Sequence, residues 1–141
     1  MTKKRVLFLC TGNSCRSQMA EGFVNARMRE IWEAYSAGTH PTGYVHPFAL
    51  QVLDEIGIEH QGRSKAIEEI QGIPFDIVIT VCDSAAKECP VWLGSGARFH
   101  IGFPDPAKVT GSEVDIIAAF RGVRDDIMWK IPRILERFEN S

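Results

Sequence analysis

The chain has 141 residues, 45% of them hydrophobic and 24% charged, with a formal net charge of −2; these values predict one globular domain over residues 1–141 with its own hydrophobic core. The charge balance and the lack of a basic run exclude the usual electrostatic footprint of a nucleic-acid-binding protein. No apolar stretch approaches the roughly 20 residues that span a bilayer, and the first residues show no signal-peptide pattern, so we expect a cytoplasmic protein without a membrane or nucleic-acid partner.

Hydrophobic periodicity predicts strands that alternate with helices along the chain. In order, we predict a strand over 4–9, a helix over 15–29, a strand over 33–38, a helix over 47–57, a weaker helix over 65–71, strands over 75–81 and 97–103, and a long helix over 112–139. Pro132 is a potential site for a kink or a division of this helix, and the sequence leaves open whether it bends there. This alternation predicts an α/β fold: one three-layer domain in which helices flank a four-stranded parallel sheet, with the expected strand order 2-1-3-4.

The segment "CTGNSCRS" (10–17) lies between the first predicted strand and the first helix. Such a loop can wrap its backbone N–H groups around an anion, with the helix N-terminus behind it. Arg16 can hold two oxygens of a tetrahedral oxyanion, and this positive field favours the thiolate form of Cys10, to which the Ser17 hydroxyl is placed to donate. The predicted oxyanion-binding residues are Thr11, Gly12, Asn13, Ser14, Cys15 and Arg16. The competing interpretation is a buried cysteine followed by an ordinary turn.

Two more cysteines, Cys82 and Cys89, follow the clearest predicted strand, "FDIVITV". If the third strand lies beside the first, Cys82 emerges at the same sheet edge as Cys10. Seven residues of intact helix separate two Cα atoms by about 10.5 Å, whereas a disulfide needs roughly 4.4–6.8 Å. A Cys82–Cys89 bond would therefore require the intervening segment to unwind. The alternative interpretation is that Cys82 and Cys89 are two buried structural cysteines. The spacing of the cysteines and histidines does not favour a zinc site, and we predict no metal.

The segment 10–17 resembles the active-site loop of low-molecular-weight protein tyrosine phosphatases and of their arsenate-reductase relatives. Over nearly the full chain, the sequence is similar to thioredoxin-coupled arsenate reductases, which carry two further redox cysteines in a segment like "CDSAAKECP". The similarity extends to "GFPDPA" (102–107) and "FRGVRDDI" (120–127). The resemblance implies a phosphatase-like fold, a nucleophile at Cys10, a redox relay that ends in a Cys82–Cys89 disulfide, and a general acid at Asp105. Without the resemblance, Asp105 would be interpreted as a solvated turn residue.

The resemblance implies an enzyme that reduces arsenate to arsenite in arsenic detoxification. Arg16 would bind arsenate, phosphate would compete weakly, and thioredoxin would reduce the final disulfide, with glutaredoxin as the alternative reductant. We expect a monomer that needs no cofactor, although the sequence leaves the oligomeric state open. Ala107 and Lys108 stand where related phosphatases place aromatic residues, which favours a small inorganic substrate. The alternatives are a phosphatase that hydrolyses phosphate monoesters through a Cys10 phosphoenzyme, and an oxyanion-binding or redox-sensing module.

Some members of this group bind potassium through the loop asparagine, a serine after the second strand and an acidic residue beyond the second helix. Asn13 and Ser36 are present here, but the stretch "GRSKAI" offers Lys65 and no acid. We hypothesise that the Lys65 ammonium replaces the cation and steadies Asn13. The alternative is a lysine solvated at the surface.

Overall fold

The computed structural model describes residues 3–82, 92 and 94–139. In this part of the chain, strands and helices alternate as the sequence predicts. The strands are β1 (Lys4–Cys10), β2 (Trp32–Gly38), β3 (Ile77–Thr80) and β4 (Ala97–His100), and the helices are α1 (Arg16–Arg27), α2 (Pro47–Asp54) and α3 (Glu113–Glu139). Two short 3₁₀ turns cover Ile67–Glu69 and Pro106–Lys108. None of the helices in these residues is long and apolar enough to cross a membrane.

All four strands are parallel, and their order is β2-β1-β3-β4, which confirms the predicted sheet. The two central strands are apolar on both faces because each face of the sheet is covered: Val6–Leu9 and Ile77–Ile79 are at most 1% exposed. β4 lies at the edge, and its four residues are exposed. The order 2-1-3-4 makes β1 and β3 neighbours, so the residues that follow these two strands meet at one edge of the sheet.

Helices α1, α2 and α3 pack on one another and over the same face of the sheet. Phe8 and Ile77 from the sheet meet Phe120 and Ile127 from α3 in this core, where each is at most 1% exposed. The opposite face carries a smaller apolar cluster, to which Leu7, Leu9, Ile70, Phe75, Val78 and Trp92 belong. Burial of one such large apolar side chain contributes about 1.5–3 kcal/mol, so the central strands hold the sheet together from both sides.

The predicted helix over 65–71 is wrong: the structure has only the 3₁₀ turn Ile67–Glu69. The reason lies in the backbone of Lys65, whose N–H donates to Asn13 Oδ1 at 2.9 Å and whose carbonyl accepts from the Gly38 N–H at 3.0 Å. These bonds tie the segment to the loop after β1 and to the end of β2. The Lys65 carbonyl, which would accept from the Glu69 N–H in a helix, is occupied by Gly38, and the Glu69 N–H donates to the Ala66 carbonyl instead.

The last helix is continuous from Glu113 to Glu139, as predicted, so Pro132 does not divide it. Ile127 and Ile131 before the proline, and Leu135 after it, are each at most 1% exposed in the main core. This packing on both sides of Pro132 holds the helix together despite the missing backbone donor. The last predicted strand is also shorter than expected and ends at His100 rather than at 103.

Candidate active site

Residues from three separate parts of the chain meet at the carboxyl edge of the sheet. Cys10 is the last residue of β1, Arg16 is the first residue of α1, and Asp105 begins the 3₁₀ turn beyond β4. They line one cavity of about 150 Å³, which accommodates a small ion. The residues around this cavity are Cys10, Gly12, Ser14, Cys15, Arg16, Thr42, Tyr44, His46, Asp105 and Ala107. We call the loop 11–16 with this cavity the cradle.

The carbonyl groups of the cradle are occupied by neighbouring protein groups. The Thr11 carbonyl accepts from the His40 N–H at 2.9 Å, the Gly12 carbonyl from the Thr42 N–H at 3.1 Å, and the Ser14 carbonyl from the His46 N–H at 3.0 Å. Asn13 adopts a left-handed conformation with φ of 48°, as the turn requires. The N–H groups from Gly12 to Arg16 have no partner among the described residues. This arrangement leaves a row of donors for an anion.

The Arg16 guanidinium is anchored to the protein through one of its nitrogens, while another nitrogen has no hydrogen-bond partner in the described residues. Nη1 donates to the Phe103 carbonyl at 3.0 Å, and Nη2 lies 3.7 Å from Asp105 Oδ2. Nε is buried and has no partner in the described part of the chain, although the side chain is only 8% exposed. An unpaired buried donor of a charged group costs more than about 1–3 kcal/mol, and a bound oxyanion in the cradle would remove that cost.

The two cysteines of the cradle, Cys10 and Cys15, are both free thiols and both buried. Burial, together with the negative charge of Asp105, raises the pKa of Cys15 to about 12, so Cys15 is a neutral thiol at pH 7. Its Sγ lies 4.0 Å from Ser14 Oγ, within the loop. Cys10 is 3% exposed and lines the cavity.

Asp105 is more than a solvated turn residue. Its Oδ1 accepts from the Ala107 N–H at 3.0 Å and so caps the 3₁₀ turn Pro106–Lys108. Its Oδ2 lies near Arg16 Nη2 at 3.7 Å, and the side chain is 24% exposed. One carboxyl oxygen is therefore fixed by the turn, while the other is held at the cavity, where a general acid would be needed.

Ser17 is fully buried and bonded to the loop, although not to Cys10. Asn13 Nδ2 donates to Ser17 Oγ at 2.8 Å, and no hydrogen bond joins Ser17 to Cys10 in the described residues. Because Ser17 Oγ accepts the bond from Asn13, its own hydrogen is left to donate. The predicted Ser17–Cys10 hydrogen bond stays a prediction.

Lys65 is buried beside an acid that the sequence analysis missed. Its side chain is 12% exposed, and its Nζ lies 3.8 Å from Glu21 Oε1, which also accepts from Ser36 Oγ at 3.0 Å. Burial raises the pKa of Glu21 and lowers the pKa of Lys65, while each charge opposes the shift of the other. The lysine is therefore not solvated at the surface. Its backbone N–H, rather than its ammonium, contacts Asn13.

The loop after β2 supplies cavity residues that the sequence analysis also missed: Thr42, Tyr44 and His46. His46 caps α2, because its Nδ1 accepts from the Phe48 N–H at 3.1 Å, and its ring lies 4.7 Å from the ring of Phe120. Burial lowers the pKa of His46, which favours the neutral ring at pH 7. The position before Pro47 at the helix start was the available signal for a capping residue.

Cys82 lies two residues after β3, and its side chain is fully buried. It is disulfide-bonded in this structure, whereas Cys10 and Cys15 are free. The preceding residue, Val81, donates its N–H to the Leu9 carbonyl at 2.9 Å and so ties this segment to the end of β1. Cys89 lies outside the described residues, and the predicted Cys82–Cys89 bond stays a prediction. Among the described residues, no cluster of three His, Cys, Asp or Glu side chains is arranged to hold a metal.

Comparison with known proteins agrees with this geometry. The low molecular weight phosphotyrosine protein phosphatase family matches residues 5–141, and the chain belongs to this family. Within it, the chain is 43% identical to an arsenate reductase of Halalkalibacterium halodurans over 137 residues, which cover 96% of this chain and 98% of that protein.

Solved structures of arsenate reductases have the same fold. One, described as an arsenate reductase in the phosphate binding state, has a TM-score of 0.76 at 27% identity and covers 96% of this chain and 98% of its own. A thioredoxin-dependent arsenate reductase of Corynebacterium glutamicum has a TM-score of 0.59 at 25% identity, covering 94% of this chain and 63% of its own.

Proposed function

We propose that this protein reduces arsenate to arsenite and so serves in arsenic detoxification. The proposal is supported by similarity to arsenate reductases over almost the whole chain, and by a cradle whose free donors suit a tetrahedral oxyanion. One observation supports reduction over simple hydrolysis: a second buried cysteine, Cys82, follows β3, and β3 is the hydrogen-bonded neighbour of β1, with Leu9 paired to Thr80. Neighbouring strands lie about 4.8 Å apart, so Cys10 at the end of β1 and Cys82, two residues beyond the end of β3, lie at the same edge of the sheet.

The first step joins arsenate to the enzyme. The backbone donors of the cradle and Arg16 bind the oxyanion and stabilise the charge that develops on its oxygens. The Cys10 thiolate attacks arsenic and forms a sulfur–arsenic bond, while Asp105 gives a proton to the departing hydroxyl, which leaves as water. Arsenic is still pentavalent at this stage.

The second step moves two electrons to arsenic. The Cys82 thiolate attacks the Cys10 sulfur, a sulfur–sulfur bond forms, and the electron pair of the sulfur–arsenic bond leaves with arsenic as trivalent arsenite. The Cys89 thiolate then attacks Cys82, which releases the Cys10 thiolate and leaves a Cys82–Cys89 disulfide. The disulfide-bonded state of Cys82 beside a free Cys10 agrees with the form that this relay leaves after one turnover.

A dithiol protein must return the disulfide to two thiols, and we propose thioredoxin. The structural neighbour from Corynebacterium glutamicum is described as thioredoxin-dependent, which supports this choice over glutaredoxin. Phosphate, a near-isostere of arsenate, should bind the same cradle and compete weakly. No step in this sequence calls for a metal or an organic cofactor.

The test is NADPH consumption with arsenate, thioredoxin and thioredoxin reductase. We expect multiple turnovers by the unaltered protein and none by Cys82→Ser or Cys89→Ser. Hydrolysis of an aryl phosphate, which needs Cys10 and Asp105 but neither distant cysteine, is the internal control for an intact cradle. A protein that consumes no NADPH with arsenate, but hydrolyses the ester equally well in both variants, would be a phosphatase. Exchange of thioredoxin for glutaredoxin in the same assay tests the reductant.

A low-molecular-weight phosphatase is the second candidate, and one observation favours it. Tyr44 is 57% exposed and lines the cavity, together with the ring of His46. The cradle therefore has an aromatic wall on the side of the β2–α2 loop, although Ala107 leaves the other side without one. An aryl ester could stack on Tyr44, while the Cys10 thiolate takes its phosphoryl group.

A further inference from the structure

His46 is held in a fixed place at the wall of the cavity by contacts with three parts of the fold. Its backbone N–H donates to the Ser14 carbonyl of the cradle at 3.0 Å. Its ring centroid lies 4.7 Å from that of Phe120 on α3 and 5.4 Å from that of Phe48 on α2. Because Phe120 is fully buried in the main core, the imidazole that lines the cavity rests on a rigid support.

The hydrogen bond at the start of α2 fixes where the imidazole carries its hydrogen. The Phe48 N–H can only donate, and it lies 3.1 Å from His46 Nδ1, so Nδ1 accepts. A neutral imidazole in this position carries its hydrogen on Nε2. A proton on Nδ1 would face the Phe48 N–H, so the helix cap also opposes protonation of the ring. His46 therefore has one N–H donor, at Nε2.

This donor has no hydrogen-bond partner in the part of the chain that the structure describes. The contrast is with His60, the other histidine whose pKa burial lowers. His60 Nε2 lies 2.7 Å from Gln18 Oε1 and 3.4 Å from Glu21 Oε2, so two protein acceptors face it. No described acceptor lies within hydrogen-bond distance of His46 Nε2, while the ring lines the cavity. The Nε2–H of His46 is consequently left for a group that enters the cavity.

The charges around the cavity leave the ring of His46 neutral. Burial lowers the pKa of His46, and the negative charge of Asp105 offsets this effect only in part. Asp105 is itself balanced by Arg16, whose Nη2 lies 3.7 Å from Asp105 Oδ2, and the thiol of Cys15 is neutral at pH 7. His46 therefore brings a donor to the cavity without a second positive charge.

The unpartnered polar groups at the cavity are mostly donors. They include the backbone N–H groups from Gly12 to Arg16 and the buried Nε of Arg16, none of which has a partner among the described residues. His46 adds a donor from the loop between β2 and α2 to those of the cradle loop. A small ion with acceptor atoms on several sides satisfies donors from two separate segments, and a tetrahedral oxyanion is such an ion.

We propose that His46 is a further oxyanion-binding residue, whose Nε2–H donates to an oxygen of the tetrahedral oxyanion held in the cradle. This inference rests on the proposed role of the cradle as an oxyanion site. The cradle loop and Arg16 bind the ion from the segment between β1 and α1, and His46 binds it from the segment before α2. Because the ring is fixed before the ion enters, this hydrogen bond needs no reorganisation of the protein.

The test is a titration of the reduced, full-length protein with inorganic phosphate. Long-range proton–nitrogen correlation spectra detect both ring nitrogens of His46 through its carbon-bound hydrogens. We expect the Nε2 signal to move as phosphate binds, while the Nδ1 signal stays in the range of an unprotonated nitrogen. A Nε2 signal that stays in place at saturating phosphate would contradict the proposed contact, and so would a protein that binds neither phosphate nor arsenate.

His46→Asn separates the donor from the helix cap. The asparagine oxygen can accept from the Phe48 N–H, since asparagine is a preferred N-cap residue, but the variant lacks the Nε2–H. We expect the Kd for phosphate to rise about tenfold, because a hydrogen bond to a charged group is lost. His100→Asn, at an exposed histidine on β4, is the matched control and should leave the Kd unchanged.

His46→Phe is the second variant, since it keeps an aromatic ring on Phe120 and removes both nitrogens. The same rise in Kd is expected. An unchanged Kd in a folded His46→Asn or His46→Phe protein would overturn the inference and leave His46 as a helix cap. Arsenate turnover is recorded on the same samples. If the unaltered protein binds phosphate with the expected response of His46 but does not reduce arsenate, the proposed function fails and this inference stands.

Discussion

Arg16 is at once a structural anchor and a binding group. Its Nη1 holds the Phe103 carbonyl near the end of the sheet, while its buried Nε is unpaired among the described residues. The same side chain therefore fixes the cradle to the segment that carries Asp105 and offers a donor to the oxyanion. Only a planar, forked group can donate to the Phe103 carbonyl and to a bound oxyanion at the same time.

We expect Arg16→Lys to lower kcat/KM for arsenate by about 10²–10³-fold, the loss that follows removal of one preorganised donor to a developing oxyanion. A lysine carries the charge but cannot reach the Phe103 carbonyl and the oxyanion together. The measurement is steady-state arsenate reduction, with Arg133→Lys on the outer side of α3 as the control. Turnover of Arg16→Lys within a few-fold of the unaltered protein would contradict this role.

Lys65 forms a buried ion pair with Glu21, which leads to a second prediction. Removal of the ammonium in Lys65→Ala leaves the buried Glu21 carboxylate without its main positive neighbour, and this is destabilising unless a cation replaces it. We expect Lys65→Ala to lose activity in sodium buffers and to regain it when potassium is added. Lys3→Ala, at an exposed residue before β1, is the control. If neither the substitution nor added potassium changed the activity, the hypothesis that Lys65 replaces a bound cation would be refuted.

At the scale of elements, α3 is held by one buried stripe that includes Phe120, Ile127 and Ile131. Ile131 is fully buried, whereas Trp129 on the same helix is 59% exposed. We expect Ile131→Ala to lower the free energy of unfolding by about 2–5 kcal/mol, since the cavity left in the core adds to the lost transfer energy. Denaturant unfolding monitored by circular dichroism measures the loss. Trp129→Ala should lower the free energy of unfolding far less. An equal decrease in both variants would show that Ile131 does not belong to the buried stripe of α3.

The elements that the sequence predicts well are those whose pattern is set by burial. β1 and β3 are apolar on both faces because both faces are covered, and this alone places them at the centre of a parallel sheet. The errors have a different origin. The segment 65–71 has a helical pattern, but it is overridden by two hydrogen bonds of the Lys65 backbone, whose N–H donates to Asn13 and whose carbonyl accepts from Gly38. Pro132 is a local helix breaker, but the core packing of Ile131 and Leu135 on either side of it keeps α3 intact.

The residues of the candidate site also fall into two groups: those that the sequence predicts, and those that only tertiary contacts bring to the site. The cradle residues are contiguous in the sequence, so their order predicts an oxyanion site, whereas the role of Asp105 is predicted only by the resemblance to the family. Tyr44, His46 and Glu21 reach the site or its support through tertiary contacts, and no local pattern marks them as functional. The pairing of Glu21 with Lys65, for example, joins α1 to a segment more than 40 residues away.

At the scale of the whole molecule, His60 links stability to pH. Its pKa in the folded protein, about 4, lies below the ordinary value of 6.5, so between these values the unfolded chain binds more protons than the folded protein. Stability therefore rises with pH in this window: the contribution is fully present above about pH 6.5 and is lost as the pH falls towards 4.

We expect the unfolding free energy of the unaltered protein to fall between pH 7 and pH 4 by on the order of 2 kcal/mol more than that of His60→Gln. Glutamine does not titrate and can keep the donor to Gln18, so the difference between the two proteins isolates the imidazole. Denaturant titrations at a series of pH values provide the comparison. Parallel stability curves for the two proteins would mean that His60 is protonated in the fold without penalty.

The central claim is that arsenate is reduced by electrons from this chain's own cysteines, and a single turnover without thioredoxin tests it most directly. The protein is fully reduced, freed of reductant and mixed with excess arsenate. We predict one arsenite per chain, the loss of two of the four thiols, and a disulfide that peptide mapping assigns to Cys82 and Cys89. Absence of arsenite with all four thiols intact would contradict the account and leave the cradle as the active site of a phosphatase.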